Sequence, residues 1–146
     1  MAEDKNISVQ YESTSQRGSA EILDFLMPFM RAGFLLQRKE SEIERLKEHG
    51  FAAIRGDELV GFAAVEFYSS KLAELQCLAV DSNFRGQGIG KSLVGMCCEV
   101  ASKVGVRELM AISASDEMFK ACGFDYSLPN QKKALFFQAR TLGQSD

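Results

Sequence analysis

Residues 72–104 constrain the fold of this chain more than any other stretch. They begin with an apolar strand, Leu72–Val80, and a short turn leads from it into a cluster of glycines. An amphipathic helix follows from Lys91 and is predicted to end at Gly105. Glycines at the start of a helix let backbone N–H groups converge on one point, and the helix N-terminus adds about half a positive charge there. The pattern therefore predicts an anion site whose usual ligand is phosphate.

The spacing of these glycines excludes two common phosphate loops. A P-loop requires a glycine at the position that Arg85 occupies. The dinucleotide fingerprint requires a wider gap than the single residue between Gly88 and Gly90. The pattern that fits is Arg-x-x-Gly-x-Gly, formed by Arg85, Gly88 and Gly90 after a strand that ends in Leu-Ala-Val-Asp.

This pattern resembles the acetyl-CoA signature of the GNAT acyltransferases, and the resemblance implies acetyl-CoA as the cofactor. In that family the loop holds the pyrophosphate of coenzyme A. The central strand and the strand after the loop helix splay apart, and pantetheine lies in the gap like an extra strand. The cofactor residues implied by the resemblance are Leu78, Ala79, Val80, Arg85, Gly86, Gln87, Gly88, Ile89, Gly90, Lys91 and Ser92.

Composition predicts one domain, residues 1–146, with an ordinary soluble core. The chain has a net charge of −3 and 46% hydrophobic residues, which argues against a nucleic-acid surface. No signal pattern or membrane span is recognised, so a cytoplasmic location is expected. Four cysteines without a Cys-x-x-Cys pair and a single histidine, His49, predict no metal site and no histidine-based triad.

Hydrophobic periodicity predicts a mixed α/β sheet in the order βααβββαβαβ, which is the GNAT order. The six predicted strands begin around Ile7 and continue at 51–55, 59–68, 72–80, 106–112 and 133–140, and 124–126 is expected to be a short edge piece. The predicted helices start near Ile22, at 40–48, from Lys91 and at 116–122, and Pro28 is expected to bend or end the first of them.

Four further segments are similar to the acetyltransferase domain of N-acetylglutamate synthases. They follow the family's order and spacing, and they are residues 33–38 (Gly-x-Leu-x-x-Arg), 73–80 (Ala-Glu-Leu-x-Cys-Leu-Ala-Val), 123–133 (Gly-Phe, then Leu-Pro-x-x-Lys-Lys) and 136–140 (an aromatic strand that closes on Arg). The classical synthases carry a preceding amino-acid-kinase-like domain, and its absence here predicts that their arginine feedback inhibition is not inherited.

Acetyl transfer to an amine requires a proton acceptor, and Glu74 is the candidate base. It is the acid within the central strand, at the position of the family's proposed base. The alternative is a carboxylate that faces water or pairs with a lysine. The synthase resemblance also implies that Ser113 donates a hydrogen bond to the departing thiolate, because Phe119 stands where many GNAT enzymes have a tyrosine. Ser113 could equally be a polar residue at a strand end.

The resemblance implies that two arginines, Arg38 and Arg140, bind the acceptor. It also implies that backbone groups near Leu36 and Cys77 contact the acceptor. Bidentate guanidinium contacts suit the carboxylates of glutamate. Surface salt bridges are the alternative role for either arginine. Leu142 departs from the family, which has a serine there, and this weakens the case for glutamate.

Three functions remain open from the sequence. The first is a small-molecule amine N-acetyltransferase with L-glutamate as acceptor. The second is the same enzyme class acting on another amino acid or a toxic amino-acid mimic, and the third is a non-catalytic acyl-CoA-binding module. Clustered apolar residues in the predicted last strand, Leu135, Phe136 and Phe137, hint at a homodimer contact or a pocket wall.

Overall fold

The computed structural model describes residues 8–113 and 116–140, and these contain one five-stranded sheet flanked by helices. Its strands, in chain order, are β1 Val9–Ser13, β2 Gly50–Arg55, β3 Glu58–Phe67, β4 Leu72–Val80 and β5 Glu108–Met110. Its α-helices are α1 Ser19–Arg31, α2 Glu40–Leu46, α3 Ile89–Val104 and α4 Glu117–Ala121. Two 3₁₀ turns, Lys47–His49 and Ser82–Phe84, precede β2 and the glycine cluster.

The sheet order follows the chain order, from β1 to β5. The first four strands pair antiparallel with their neighbours, whereas β4 and β5 are parallel. Parallel neighbours need a crossover connection, and α3 provides it. The predicted mixed α/β sheet is therefore confirmed.

Each face of the sheet carries its own apolar layer. On one face the buried side chains of α3, among them Leu93, Val94 and Cys97, pack against Val65 and Leu75 of the sheet. On the other face α1 and α2 supply the packing residues Ile22, Leu26, Met30, Ile43 and Leu46.

A bulge in β4 changes which side chains face which layer. Phe62 pairs with Ala79 and Ala64 with Gln76, so β4 has one more residue than β3 across this interval. Cys77 lies in it with a φ of 59°, a left-handed conformation that is uncommon outside glycine. Leu75 packs on the α3 side, whereas Cys77 packs on the α1–α2 side. The bulge therefore places Glu74, Gln76 and Cys77 together on the α1–α2 face.

Several predicted boundaries differ from the structure. The predicted edge piece at 124–126 and the predicted strand at 133–140 are wrong, because the structure has no strand there and residues 127–140 are exposed. The strand predicted at 106–112 is shortened to β5, and α3 begins at Ile89, before Lys91. Pro28 does not end α1, which continues to Arg31. Ile7, Ser115 and Leu142 lie outside the described residues.

None of the helices found in residues 8–113 and 116–140 combines the length and the apolar character needed to cross a membrane.

Candidate active site

The sheet opens between β4 and β5. The two strands pair at Leu72, Ala73 and Glu74, which face Glu108, Leu109 and Met110. From Leu75 to Val80 that edge of β4 has no strand partner among the described residues. Its backbone groups are therefore available to an extended ligand.

A cleft of about 450 Å³ lies beside this open half of β4. Aromatic and aliphatic side chains form one part of its wall, and the backbone around the glycines forms the other. The lining residues are Phe29, Phe34, Leu35, Leu78, Ala79, Val80, Phe84, Arg85, Gly86, Gly88, Ile89, Gly90 and Met118.

The start of α3 closes one end of the cleft. Gly86 and Gly88 have φ angles of 80° and 79°, a conformation that a side chain would strain. Gly88 is the residue that caps α3, and no atom lies within 4 Å of where its Cβ would be. The first backbone N–H groups of a helix have no partner within it, so those after Gly88 can bind an anion.

The remaining cofactor candidates lie next to this loop. Gln87, Lys91 and Ser92 are exposed and do not line the cleft. The side chain of Ile89 is buried against the α3-side layer. The Ile89 side chain therefore anchors the first turn of α3 to the sheet, and Ile89 also lines the cleft.

Glu74 belongs to a hydrogen-bonded cluster on the β3–β4 hairpin. The hydroxyl of Tyr68 donates to Glu74 Oε1 at 2.6 Å. Gln76 Nε2 donates to Glu66 Oε2 at 2.6 Å, and it also lies 3.1 Å from the Tyr68 hydroxyl and 3.3 Å from Glu74 Oε1. Burial and the two neighbouring carboxylates raise the pKa of Tyr68, so its phenol remains protonated.

Arg38 and Cys77 meet on the same face of the sheet. The guanidinium lies close enough to the thiol to form a hydrogen bond, and it opposes the rise that burial causes in the pKa of Cys77. Arg38 Nη1 is also 3.3 Å from Glu42 Oε2. Arg38 Nε is a buried donor without a partner in the described part of the chain. This guanidinium therefore retains capacity for another acceptor.

The other predicted site residues lie away from this centre. Leu36 is 75% exposed. Ser113 and Arg140 are exposed, and neither belongs to the cleft lining. Arg140 follows a segment that makes no strand, so the sheet does not place it beside Arg38.

The sequence of this chain matches the acetyltransferase (GNAT) family over residues 19–124. That range runs from the first residue of α1 to just beyond α4 and includes β4, the glycine cluster and α3. The chain belongs to the GNAT acetyltransferase family.

Individual GNAT relatives agree with this assignment. An uncharacterised N-acetyltransferase of Chlorobaculum tepidum is 37% identical over 93 residues, which are 63% of this chain and 59% of that protein. An amino-acid acetyltransferase of Aeromonas salmonicida is 30% identical, over 79% of this chain and 27% of its own length. The chain therefore spans little more than half of the first relative and about a quarter of the second.

Solved structures show the same fold. N-acetylglutamate synthase from Neisseria gonorrhoeae, crystallised with coenzyme A and N-acetyl-glutamate, superposes with a TM-score of 0.69 at 23% identity. The superposition covers 78% of this chain and 27% of that one. At this identity the likeness establishes the fold of this GNAT chain.

Sequence reasoning missed several residues of this GNAT site. Phe29, Phe34, Phe84 and Met118 line the cleft because α1, the turn after it, the second 3₁₀ turn and α4 converge there. Glu66, Tyr68 and Gln76 were also missed as partners of Glu74. The sequence showed only that Glu66 and Tyr68, and likewise Glu74 and Gln76, alternate along their own predicted strands and so share a face within each strand.

Proposed function

We propose that this protein is an acetyl-CoA-dependent N-acetyltransferase for a small carboxylate-bearing amine, with L-glutamate the favoured acceptor. The observation that carries the proposal is the cleft between the glycine-capped start of α3 and the open half of β4. Glu74 and Arg38 are outside the lining of this cleft, and they lie on the α1–α2 face of the strand whose open half lines it. An anion cradle and a free strand edge, with a carboxylate on the same strand, suit transfer from a nucleotide thioester to an amine.

The cofactor is assigned to the start of α3 and to β4. Backbone N–H groups after Gly88, together with Arg85, bind the pyrophosphate. Leu78, Ala79 and Val80 present backbone groups to the pantetheine chain, with the apolar wall of the cleft around them. Coenzyme A, when bound, supplies the acetyl group as an activated thioester.

We assign Glu74 as the base that accepts a proton from the acceptor amine. The nitrogen must lose an N–H proton as it forms its bond to the acetyl carbon, and a carboxylate within reach accepts that proton. Glu74 is half-buried, so water competes less with the amine than at an exposed carboxylate. Ser113, beyond β5, remains the proposed hydrogen-bond donor to the departing thiolate.

We assign Arg38 as the residue that binds a carboxylate of the acceptor. Its guanidinium is beside Cys77, on the same strand and face as Glu74. A carboxylate bound there leaves the amine of the same small molecule free to approach Glu74. Arg140 is proposed as the second arginine, which requires residues 131–140 to approach the sheet when the acceptor binds.

The test is a thiol-release assay with acetyl-CoA and four acceptors: L-glutamate, L-glutamine, 4-aminobutyrate and a neutral aliphatic amine. We expect turnover with glutamate in wild type. Arg38→Ala should raise KM for glutamate about tenfold or more, since a charge-assisted bidentate contact is lost. Glu74→Gln should lower kcat about 10²-fold. Arg45→Ala and Glu99→Gln, exposed changes on α2 and α3, are the matched controls.

Three results would revise the proposal. Turnover with another amine but not with glutamate changes the acceptor and leaves the enzyme class. Wild-type activity that survives Glu74→Gln removes the base assignment. Tight acetyl-CoA binding without turnover of any acceptor favours the non-catalytic binding module.

A further inference from the structure

The hydrogen bonds around Glu74 distinguish its two carboxylate oxygens. Both hydrogen bonds that it accepts in the described part of the chain fall on Oε1, from Tyr68 at 2.6 Å and from Gln76 at 3.3 Å. Within the same residues Oε2 has no such donor. A carboxylate held through one oxygen keeps a fixed rotamer and presents its other oxygen to a ligand.

The two donors are held in different ways, since the Gln76 side chain is buried whereas the Tyr68 side chain is 51% exposed and is positioned by its turn. Tyr68 follows the last residue of β3, and its backbone N–H donates to Leu72 O at 3.0 Å across the turn. Gln76 is 6% exposed, and its amide is oriented by the short bond to Glu66. We call Tyr68 and Gln76, with their hydrogen bonds to Glu74 Oε1, the clamp. A turn positions one of these residues, and burial fixes the other.

The clamp also separates two like charges. Glu66 and Glu74 are directly opposite each other in the β3–β4 register, an arrangement that is unfavourable when both are ionised. Gln76 Nε2 reaches both carboxylates, and the Tyr68 hydroxyl donates to one of them. Donation to these oxygens offsets the repulsion between the two carboxylates.

We propose that Tyr68 and Gln76 are positioning residues that hold Glu74 through Oε1, so that Oε2 takes the proton from the acceptor amine. This inference rests on the proposed acetyl transfer. In the proton step an N–H bond of the acceptor breaks and an O–H bond forms at Glu74 Oε2. Tyr68 and Gln76 keep their own protons throughout.

The experiment compares Tyr68→Phe with wild type in the steady-state kinetics of acetyl transfer. We expect Tyr68→Phe to lower kcat about tenfold with an unchanged KM for acetyl-CoA, because Glu74 loses the donor that holds Oε1. Tyr126→Phe is the matched control, because that phenol also donates to a carboxylate, Asp116, outside the cleft.

A second readout does not depend on turnover. With ¹³C-labelled glutamate side chains, and the Glu74 resonance assigned from Glu74→Gln, the carboxyl chemical shift of Glu74 at one fixed pH should differ between Tyr68→Phe and wild type, because a donor to Oε1 is lost. The same chemical shift should be unchanged in Tyr126→Phe. An unchanged Glu74 chemical shift and an unchanged kcat in Tyr68→Phe would overturn the proposed positioning even if wild type transfers acetyl. An inactive wild type with the expected change in chemical shift would overturn the proposed function and leave the positioning of Glu74 standing.

Discussion

Gly61 is outside the candidate site, yet it determines how closely the start of α3 can approach the sheet. It is on β3, under the first turns of α3. A Cβ built there would be 3.1 Å from Ile89 Cγ2 and from Leu93 Cδ1, and 3.2 Å from Ala53 Cβ. Because these side chains are buried on the α3 face, α3 can approach the sheet this closely only over a glycine.

We therefore expect Gly61→Ala to displace the start of α3 and weaken coenzyme A binding. Overpacking of this kind costs about 1–3 kcal/mol of stability. Coenzyme A affinity, measured by isothermal titration calorimetry, should fall about tenfold because the amides after Gly88 move with the helix. Urea unfolding measures the stability change.

The control for Gly61→Ala is Gly95→Ala. Gly95 is on the exposed face of α3, and a Cβ added to it would meet no atom of a neighbouring element within 4 Å. Alanine there should stabilise the helix by about 0.5–1 kcal/mol and leave affinity unchanged. Equal affinities for the Gly61→Ala and Gly95→Ala proteins would contradict the spacing argument.

At the scale of elements, the turn after β4 and the start of α3 form the proposed anion-binding unit. Asp81 ends the strand side of this unit, and its carboxylate accepts a hydrogen bond from the Asn83 backbone N–H at 2.9 Å. Arg85 then stands beside the cleft, exposed to solvent. In the proposed function this unit binds the phosphate end of coenzyme A, whereas the open half of β4 binds the pantetheine end.

This assignment of the phosphate and pantetheine ends predicts different effects of Arg85→Ala on the binding of two ligands. Binding of coenzyme A, measured by calorimetry, should weaken about tenfold, because a charge-assisted contact to phosphate is lost. Binding of pantetheine, which has no pyrophosphate, should not change. Arg107→Ala removes the same charge beyond the far end of α3 and should alter neither. Equal losses for both ligands would place Arg85 elsewhere in the site.

The elements with strong local signals were the ones that the sequence predicted well. The hairpin of β2 and β3, the central strand β4 and helix α3 combine clear periodicity with glycine turns or caps, so their existence and order were predictable. The run Leu135 to Phe137 has the composition of a strand, yet it makes none. Pairing depends on a partner edge, which composition does not specify.

The candidate site was predictable where backbone matters and less so where side chains meet. The glycine spacing predicted the loop that lines the cleft. Glu74 was identified as an acid on the central strand, but its donors Tyr68 and Gln76 depend on the β3–β4 register. A turn and a bulge determine that register, and neither has a strong signal in one sequence.

At the scale of the whole molecule, the buried thiols make folding sensitive to alkaline pH. Burial raises the pKa of Cys97 from 9.0 to about 12 and raises the pKa of Cys77 as well. Both side chains lie in the apolar layers, one on each face of the sheet. Between pH 9 and 12 the unfolded chain therefore releases thiol protons that the folded chain retains.

We expect the free energy of unfolding to fall as pH rises above about 9, by about 1.4 kcal/mol per pH unit for each such thiol, and to be insensitive to these thiols below that range. Urea unfolding of wild type and Cys97→Ala at pH 8.5, 9.5 and 10.5 measures this. The variant should lose one such contribution to the slope, because its packing defect is independent of pH. Cys122→Ala, at a half-buried position, is the control, and parallel slopes for wild type and Cys97→Ala would contradict the argument.

The bulge at Cys77 makes the candidate site depend on a count of residues as well as on their identity. Side chains alternate between the faces of a strand, so the extra residue lets Glu74 and Gln76 share a face with Cys77 while Leu78 and Val80 pack toward α3. Deletion of one residue after Gln76 would leave Glu74 and Gln76 in the sequence, yet either these two side chains or those of Leu78 and Val80 would face the wrong apolar layer. For this protein, we therefore expect insertions and deletions in β4 to damage the candidate site more than substitutions do.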